Sequence, residues 1–154
     1  RQILFNTHVE YMNCIFCKII SGEASSSKVY EDAEVLAFMD IQPVRPGQVL
    51  VIPKVHIDHF TDIPGELAEH IFRTAFTLAG KVRSVLNPER VGLVVHGYGV
   101  SHAHMVIVPQ HTKDDITSAR IAEIREGEVV FDMHILPMAS REDLDVIAAS
   151  LRGE

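Results

Sequence analysis

The stretch Ser101-His102-Ala103-His104-Met105-Val106-Ile107-Val108-Pro109 sets the reading of the whole chain. Its Val- and Ile-rich run favours a β-strand over residues 102–108. Alternate side chains of a strand share a face, so His102, His104, Val106 and Val108 are expected on one side and Ala103, Met105 and Ile107 on the other. Two imidazoles then sit about 7 Å apart on one surface. Imidazole attacks phosphorus as a nucleophile, splitting one difficult displacement into two easier ones, and it moves protons near neutral pH. The plain alternative is a pair of polar positions on a half-exposed strand. A Gly-containing link leads directly into the pair and Pro109 closes the apolar run, which weighs towards a site.

Working outward, residues 91–95 read as the partner strand, joined through the polar link His96-Gly97-Tyr98-Gly99-Val100-Ser101. Upstream, residues 28–32 and 34–40 read as two short strands meeting at Asp32-Ala33, and residues 48–53 as a third, punctuated by Gly47 and Pro53. Between the two groups, Leu67, Ile71, Ala75, Leu78, Val82 and Val85 recur every three or four positions, one face of a helix over residues 66–86. Pro64 suits its start and Asn87-Pro88 its end. A C-terminal helix is signalled by Ser140 with Asp143 three residues later and by the stripe Leu144, Ile147, Ala148 and Leu151. The segment around residues 129–135 has no assignable pattern. Strands in two groups around one long helix imply an antiparallel α+β fold.

At 154 residues, 47% hydrophobic and 23% charged, the chain is expected to be one globular domain with an ordinary core. A formal net charge of −7 argues against a general nucleic-acid binder, which needs clustered Lys and Arg to neutralise several phosphates. A small anionic ligand fits, because backbone amides hold a phosphate without net positive charge. No stretch approaches a membrane span, and the N-terminus lacks the basic-then-apolar pattern of a signal peptide. A cytoplasmic protein is therefore expected, with no membrane partner. Residues 1–12 carry no clear pattern and are expected to be an N-terminal extension, added for expression or read from an early translation start.

Two cysteines, Cys14 and Cys17, are too few for a disulfide scaffold. Cys-x-x-Cys supplies two of the four ligands of a tetrahedral zinc, and histidines elsewhere complete such a set. A redox pair is the rival, although that motif normally follows a strand in a βαβ setting and no such strand is evident before Cys14. Empty reduced thiols are a third possibility. His8, His59, His70, His111 and His134 have no spacing that raises them above surface or satisfied polar positions.

The 101–109 segment resembles the signature of the histidine triad (HIT) family of nucleotide hydrolases and transferases, His-x-His-x-His followed by apolar residues. Cys14-Ile15-Phe16-Cys17-Lys18-Ile19-Ile20 resembles the family's opening. Val29-Tyr30-Glu31-Asp32 and Leu36-Ala37-Phe38-Met39-Asp40-Ile41 resemble its first hairpin, and Leu50-Val51-Ile52-Pro53-Lys54-Val55-His56 its next strand. The similarity spans residues 13–110. Each motif is weak alone; their order and spacing together are specific.

The resemblance implies that His104, the middle histidine, attacks an α-phosphorus and is transiently nucleotidylated. It implies that His102 orients that nucleophile or, as in some bacterial members, binds zinc with Cys14, Cys17 and His56. Such a zinc would be mainly structural, clipping the N-terminal segment onto the sheet. Asp40 resembles the residue that accepts hydrogen bonds from the ribose hydroxyls, and Ile15, Phe16, Ile19, Phe38 and Ile41 resemble the apolar walls around the base. A carboxylate offers two acceptor oxygens to a diol, and apolar side chains sandwich a flat base. Read without the family, Ile15, Phe16 and Phe38 are ordinary core residues and Asp40 a strand-ending turn residue.

Two departures bear on catalysis. The third triad position is Val106, which neither donates a proton nor makes a hydrogen bond; a related uridylyltransferase branch carries glutamine there. A lost transition-state contact of this kind costs several kcal/mol by analogy with an oxyanion-hole donor. The link before His102 is also shorter than the family's Gly-Gln-Ser loop. It leaves Ser101 and nearby amides to support the phosphate, with His96 where many relatives have asparagine.

The leading expectation is an enzyme that hydrolyses or transfers a nucleoside monophosphate group, with a purine nucleotide preferred. A nucleoside phosphoramidate, an adenylated metabolite or a dinucleoside polyphosphate would serve as substrate. The rivals are a nucleotide-binding module with little catalysis, favoured by Val106, and a zinc-stabilised interaction protein. The resemblance further implies a homodimer through the long helix and an edge strand. It also implies a HIT-like domain over residues 13–112 and a C-terminal extension, residues 113–154, packing on the domain or on the dimer partner.

Overall fold

Strand alternation divides the fold into two layers. The structure, a computed structural model, describes residues 13–154; His8 and the N-terminal extension lie outside them. Five strands, β1 (Lys28–Glu31), β2 (Val35–Met39), β3 (Val49–Pro53), β4 (Arg90–Val95) and β5 (Met105–Gln110), form one sheet in the order β1-β2-β3-β5-β4. Every neighbouring pair is antiparallel. Val35, Ala37, Met39, Val49, Val51 and Ile107 pack in one buried cluster, while Leu36, Phe38, Leu50 and Ile52 pack in another on the opposite face. Strands β2 and β3 are buried along their whole length, hence their near-continuous apolar sequences.

The first face is covered by two helices. Helix α2 (Gly65–Leu86) buries Ile71, Ala75, Leu78 and Val82, and α3 (Arg141–Arg152) buries Leu144, Ala148 and Leu151 in the same cluster. Each fully buried aliphatic side chain contributes about 1.5–3 kcal/mol relative to exposure. Pro64 precedes α2, and Asn87 ends it in the left-handed region at φ 50°. Ser140 caps α3 by accepting the Asp143 amide N–H and donating to the Asp143 carboxylate. Val85, expected on the apolar stripe, is instead 44% exposed, and Leu86 packs on the core. The opposite face is covered by α1 (Ile15–Ser21), which ends at Gly22 with φ 84°.

Three features differ from the sequence expectation. Strand β5 begins at Met105, so His102 and His104 precede it. The amide of His102 donates to the Val100 carbonyl and that of Ala103 to Ile57, taking both residues out of the ladder. Pro109 lies within β5, opposite Val91. It is tolerated there because the β3 ladder reaches only Ile107, so no neighbour on that side needs its missing N–H. Finally, the unassigned C-terminal segment contains a hairpin of β6 (Ala122–Arg125) and β7 (Glu128–Phe131). Its two-residue turn has Glu126 at φ 52° and Gly127 at φ 87°, a conformation usually signalled by Asn-Gly or Asp-Gly. Among the described residues no helix is long and apolar enough to cross a membrane.

Candidate functional site

Helix α1 is short, and its sequence places two sulfurs on one side. Cys14 is its N-cap and Cys17 follows three residues later, a spacing that brings side chains together on a helix. Phe16 and Ile19 bury the remaining surface against Leu36, Phe38, Leu50 and Ile52. His56 follows β3 and His102 precedes β5, so neighbouring antiparallel strands deliver both imidazoles to the same end of the sheet.

The ligand atoms of Cys14, Cys17, His56 and His102 all lie within 4.8 Å of one another. His102 Nδ1 is 3.6 Å from Cys14 Sγ and 3.7 Å from Cys17 Sγ, and His56 Nδ1 is 3.3 Å from Cys17 Sγ. Zn–S bonds near 2.3 Å and Zn–N bonds near 2.05 Å at tetrahedral angles imply S···N edges of about 3.6 Å, so the donor set fits zinc. The Nε2–H of His102 donates to the Pro53 carbonyl at 2.8 Å, which fixes the tautomer and leaves the Nδ1 lone pair facing the sulfurs. Burial pulls His102 down to about 4, with the charges of His56 and His104 adding to it against the Pro53 hydrogen bond. Its ring is therefore neutral at pH 7, as a ligand must be. Burial, then the hydrogen bond and charge of Cys14, push the Cys17 thiol up to about 12. A cation between the sulfurs removes that penalty by binding thiolates.

His104 is half-buried beside this cluster. Its Nδ1–H donates to the His102 carbonyl at 2.7 Å, which leaves the Nε2 lone pair without a hydrogen-bond partner among the described residues. The Phe16 ring makes edge-to-face contacts with the His104 ring at 5.5 Å between centroids and with the His102 ring at 5.8 Å. His102 itself is fully buried, with both ring nitrogens engaged. What it presents to His104 is its main-chain oxygen, a contact that suits the expected orienting role.

The remaining sequence-derived positions divide by exposure. Phe16, Ile19 and Phe38 are core residues, with Phe16 and Phe38 edge-to-face at 5.4 Å. Ile15 and Ile41 are each 46% exposed and available to a ligand. Asp40 is held from both sides, Oδ1 accepting the Gln42 amide at 2.9 Å and Oδ2 the Gln48 side-chain N–H at 2.6 Å. Ser101 and His96 are exposed in the β4–β5 link, and His96 Nδ1 lies 3.4 Å from the Tyr98 carbonyl. Sequence reasoning missed Gln48, a buried amide whose Oε1 also accepts the Val44 N–H. Its signal, a polar residue opening an otherwise apolar strand, is weak. The Pro53 carbonyl has no sequence signal.

Residues 21–113 match the model of the HIT domain. The chain is 43% identical over 108 residues to Protein hit of Bacillus subtilis, covering 67% of this chain and 74% of that one. It is 35% identical over 109 residues to the adenosine 5′-monophosphoramidase of Schizosaccharomyces pombe, covering 67% and 78%. Among solved structures it is similar to a zinc-bound histidine triad family protein from Mycobacterium smegmatis, with TM-score 0.69, 27% identity and 93% coverage of both chains. With its antiparallel sheet, Cys/His cluster and half-buried His104 in place, the chain belongs to the HIT family.

Proposed function

We propose that this protein hydrolyses or transfers nucleotidyl groups at the α-phosphate of a nucleoside phosphate derivative, with His104 as nucleophile. The observation that carries this reading is the 2.7 Å hydrogen bond from His104 Nδ1 to the His102 carbonyl, which leaves Nε2 as the basic nitrogen. Its lone pair forms the bond to phosphorus while the bond to the leaving group breaks. The positive charge gained by the ring is stabilised through Nδ1–H by the same carbonyl. Water then attacks phosphorus, and the electron pair of the P–N bond returns to His104. Asp40, held by Gln48 and Gln42, accepts the ribose hydroxyls. Ile15 and Ile41 flank a purine, while Phe16, Ile19 and Phe38 form the floor beneath them, and Ser101 with nearby amides supports the phosphate. Phosphoramidates are favoured by the likeness to a relative that is an adenosine 5′-monophosphoramidase.

Cys14, Cys17, His56 and His102 hold zinc in this reading, supported by their mutual distances and by the zinc-bound relative. Zinc held there would supply the positive charge that two thiolates need, and its four ligands would tie α1 to the ends of β3 and β5. Thiols placed for a metal suit a reducing compartment such as the cytoplasm. Residues 13–112 form the HIT unit and 113–154 its extension, whose α3 packs on the helix-covered face.

Incubation with adenosine 5′-phosphoramidate, rapid quenching and mass analysis tests the mechanism. An adenylyl adduct is expected on the unmodified protein and absent in His104→Ala. Val106 favours a second reading, a binding module. If no turnover and no adduct appear but the nucleotide still raises the melting temperature, that reading replaces the enzyme.

A further inference from the structure

Residue Val106 leaves the face around His104 without the imidazole expected two positions along the strand. The sheet register shows what stands there instead. On β4 and β5, Val94 pairs with Val106 and Val95 with Met105. His96 directly follows Val95 and His104 directly precedes Met105, so both adjoin the last pair of that ladder. Directly opposed residues share a face, with Cβ atoms about 4.5–5.5 Å apart, and diagonal neighbours remain within reach of long side chains. Strand alternation carried one residue past that pair puts His96 on the side of Val94 and its partner Val106, the face that carries Leu50 and Ile52. Val95, by contrast, points to the helix-covered side with Met105 and Ile71. The other strand residues around His104 on its face, Leu50, Ile52, Val94 and Val106, are apolar and carry no proton.

The short link aims the ring. Tyr98, flanked by Gly97 and by Gly99 at φ 97°, turns its carbonyl to within 3.4 Å of His96 Nδ1. With Nδ1–H donated there, Nε2 is the nitrogen left to face a ligand, and His96 is exposed to receive one.

Resting on the nucleotidyl-transfer reading, we infer that His96 is a catalytic residue that supplies the leaving-group proton in place of the absent third triad histidine. As His104 Nε2 bonds to phosphorus, the P–N bond of a phosphoramidate breaks, and the departing amine nitrogen takes that bond's electron pair together with the Nε2 proton of cationic His96. In the second half, neutral His96 takes a proton from the attacking water as the P–N bond to His104 breaks. AMP and the free amine leave, and both histidines regain their starting states.

Leaving-group dependence tests this role, because a merely structural residue affects good and poor leaving groups alike. The unmodified protein and His96→Asn are compared on an alkylamine phosphoramidate of AMP, whose nitrogen must be protonated to leave, and on the p-nitrophenyl ester of AMP, whose phenolate needs no proton. General acid catalysis of this kind contributes about 10²-fold or more. The expected loss in kcat/KM for His96→Asn is therefore roughly 100-fold greater on the alkylamide than on the nitrophenyl ester. Equal loss on both substrates, or loss on neither, overturns the role of His96 while leaving the His104 nucleophile standing. An unmodified protein that forms no adduct and turns over neither substrate overturns both.

Discussion

The Asp115 carboxylate shows how one residue holds two loops together at the end of the sheet opposite His104. It is fully buried, accepting the amides of His111 at 2.7 Å and Thr112 at 2.8 Å and the Arg45 Nε–H at 2.8 Å. Burial alone would raise its pKa, but those amides and the guanidinium hold it well below the usual carboxylate range. A depressed native pKa means that the unfolded chain binds the proton first. The stabilisation is thus present above about pH 4 and is lost as pH falls from there towards the native value. Charge-assisted hydrogen bonds contribute about 1.5–3 kcal/mol each, so Asp115→Asn is expected to lose about 2–3 kcal/mol at pH 7. Urea titrations at pH 7 and pH 3 should show the gap between variant and unmodified protein narrowing at the lower pH. A gap independent of pH would contradict the assignment.

Among the elements, α1 is the one whose existence depends most on its surroundings. Seven residues are too few for a stable isolated helix, and no side chain caps its first turn. Two things retain it: the apolar packing of Phe16 and Ile19, and the cluster that joins Cys14 and Cys17 to His56 and His102. A bound zinc couples its binding free energy to folding. Removing metal with a chelator is expected to lower the melting temperature of the unmodified protein by several degrees. Cys17→Ser should start lower and respond little to chelator, with metal content read by elemental analysis. A melting temperature indifferent to chelator in a protein shown to carry zinc would mean that packing alone secures α1. The C-terminal elements are secured differently: Gln42 donates its side-chain N–H groups to the carbonyls of Met133 and Leu136, and the Ala139 amide donates to Ile41.

At the scale of the whole molecule, an apolar region lies open among the described residues. Strand β4 lies at the edge of the sheet, with Leu93 and Val95 38% and 39% exposed, and α2 projects Phe72 and Phe76 at 52% and 71%. An edge strand beside exposed aromatics is a surface that monomers seldom leave uncovered. We propose that two copies pair through this region about a two-fold axis. Sedimentation velocity is expected to report a dimer for the unmodified protein and a monomer for Phe76→Glu, with unchanged circular dichroism. A monomeric unmodified protein at micromolar concentration would refute it.

Features that depend on local periodicity and on residue chemistry can be read along the chain. The 3.6-residue stripe of α2, the Ser140 cap of α3 and the apolar runs of β2 and β3 were legible because each pattern is confined to neighbours along the chain. The ordered Cys, Asp and His motifs pointed to the family on the same footing. Long-range placement comes instead from contacts between segments distant in the chain. The alternation that put His102 and His104 on a strand gave way because the Ala103 amide is bonded to Ile57, 46 residues earlier in the chain. Cys-x-x-Cys offered two ligands by spacing, whereas the convergence of His56 and His102 depends on β3 and β5 being neighbours. The same holds for Gln48 against Asp40 and for His96, which β4 brings to the same end of the ladder as His104. Partners of this kind are brought together by sheet register, and a register is a property of two strands, which no single stretch of sequence contains.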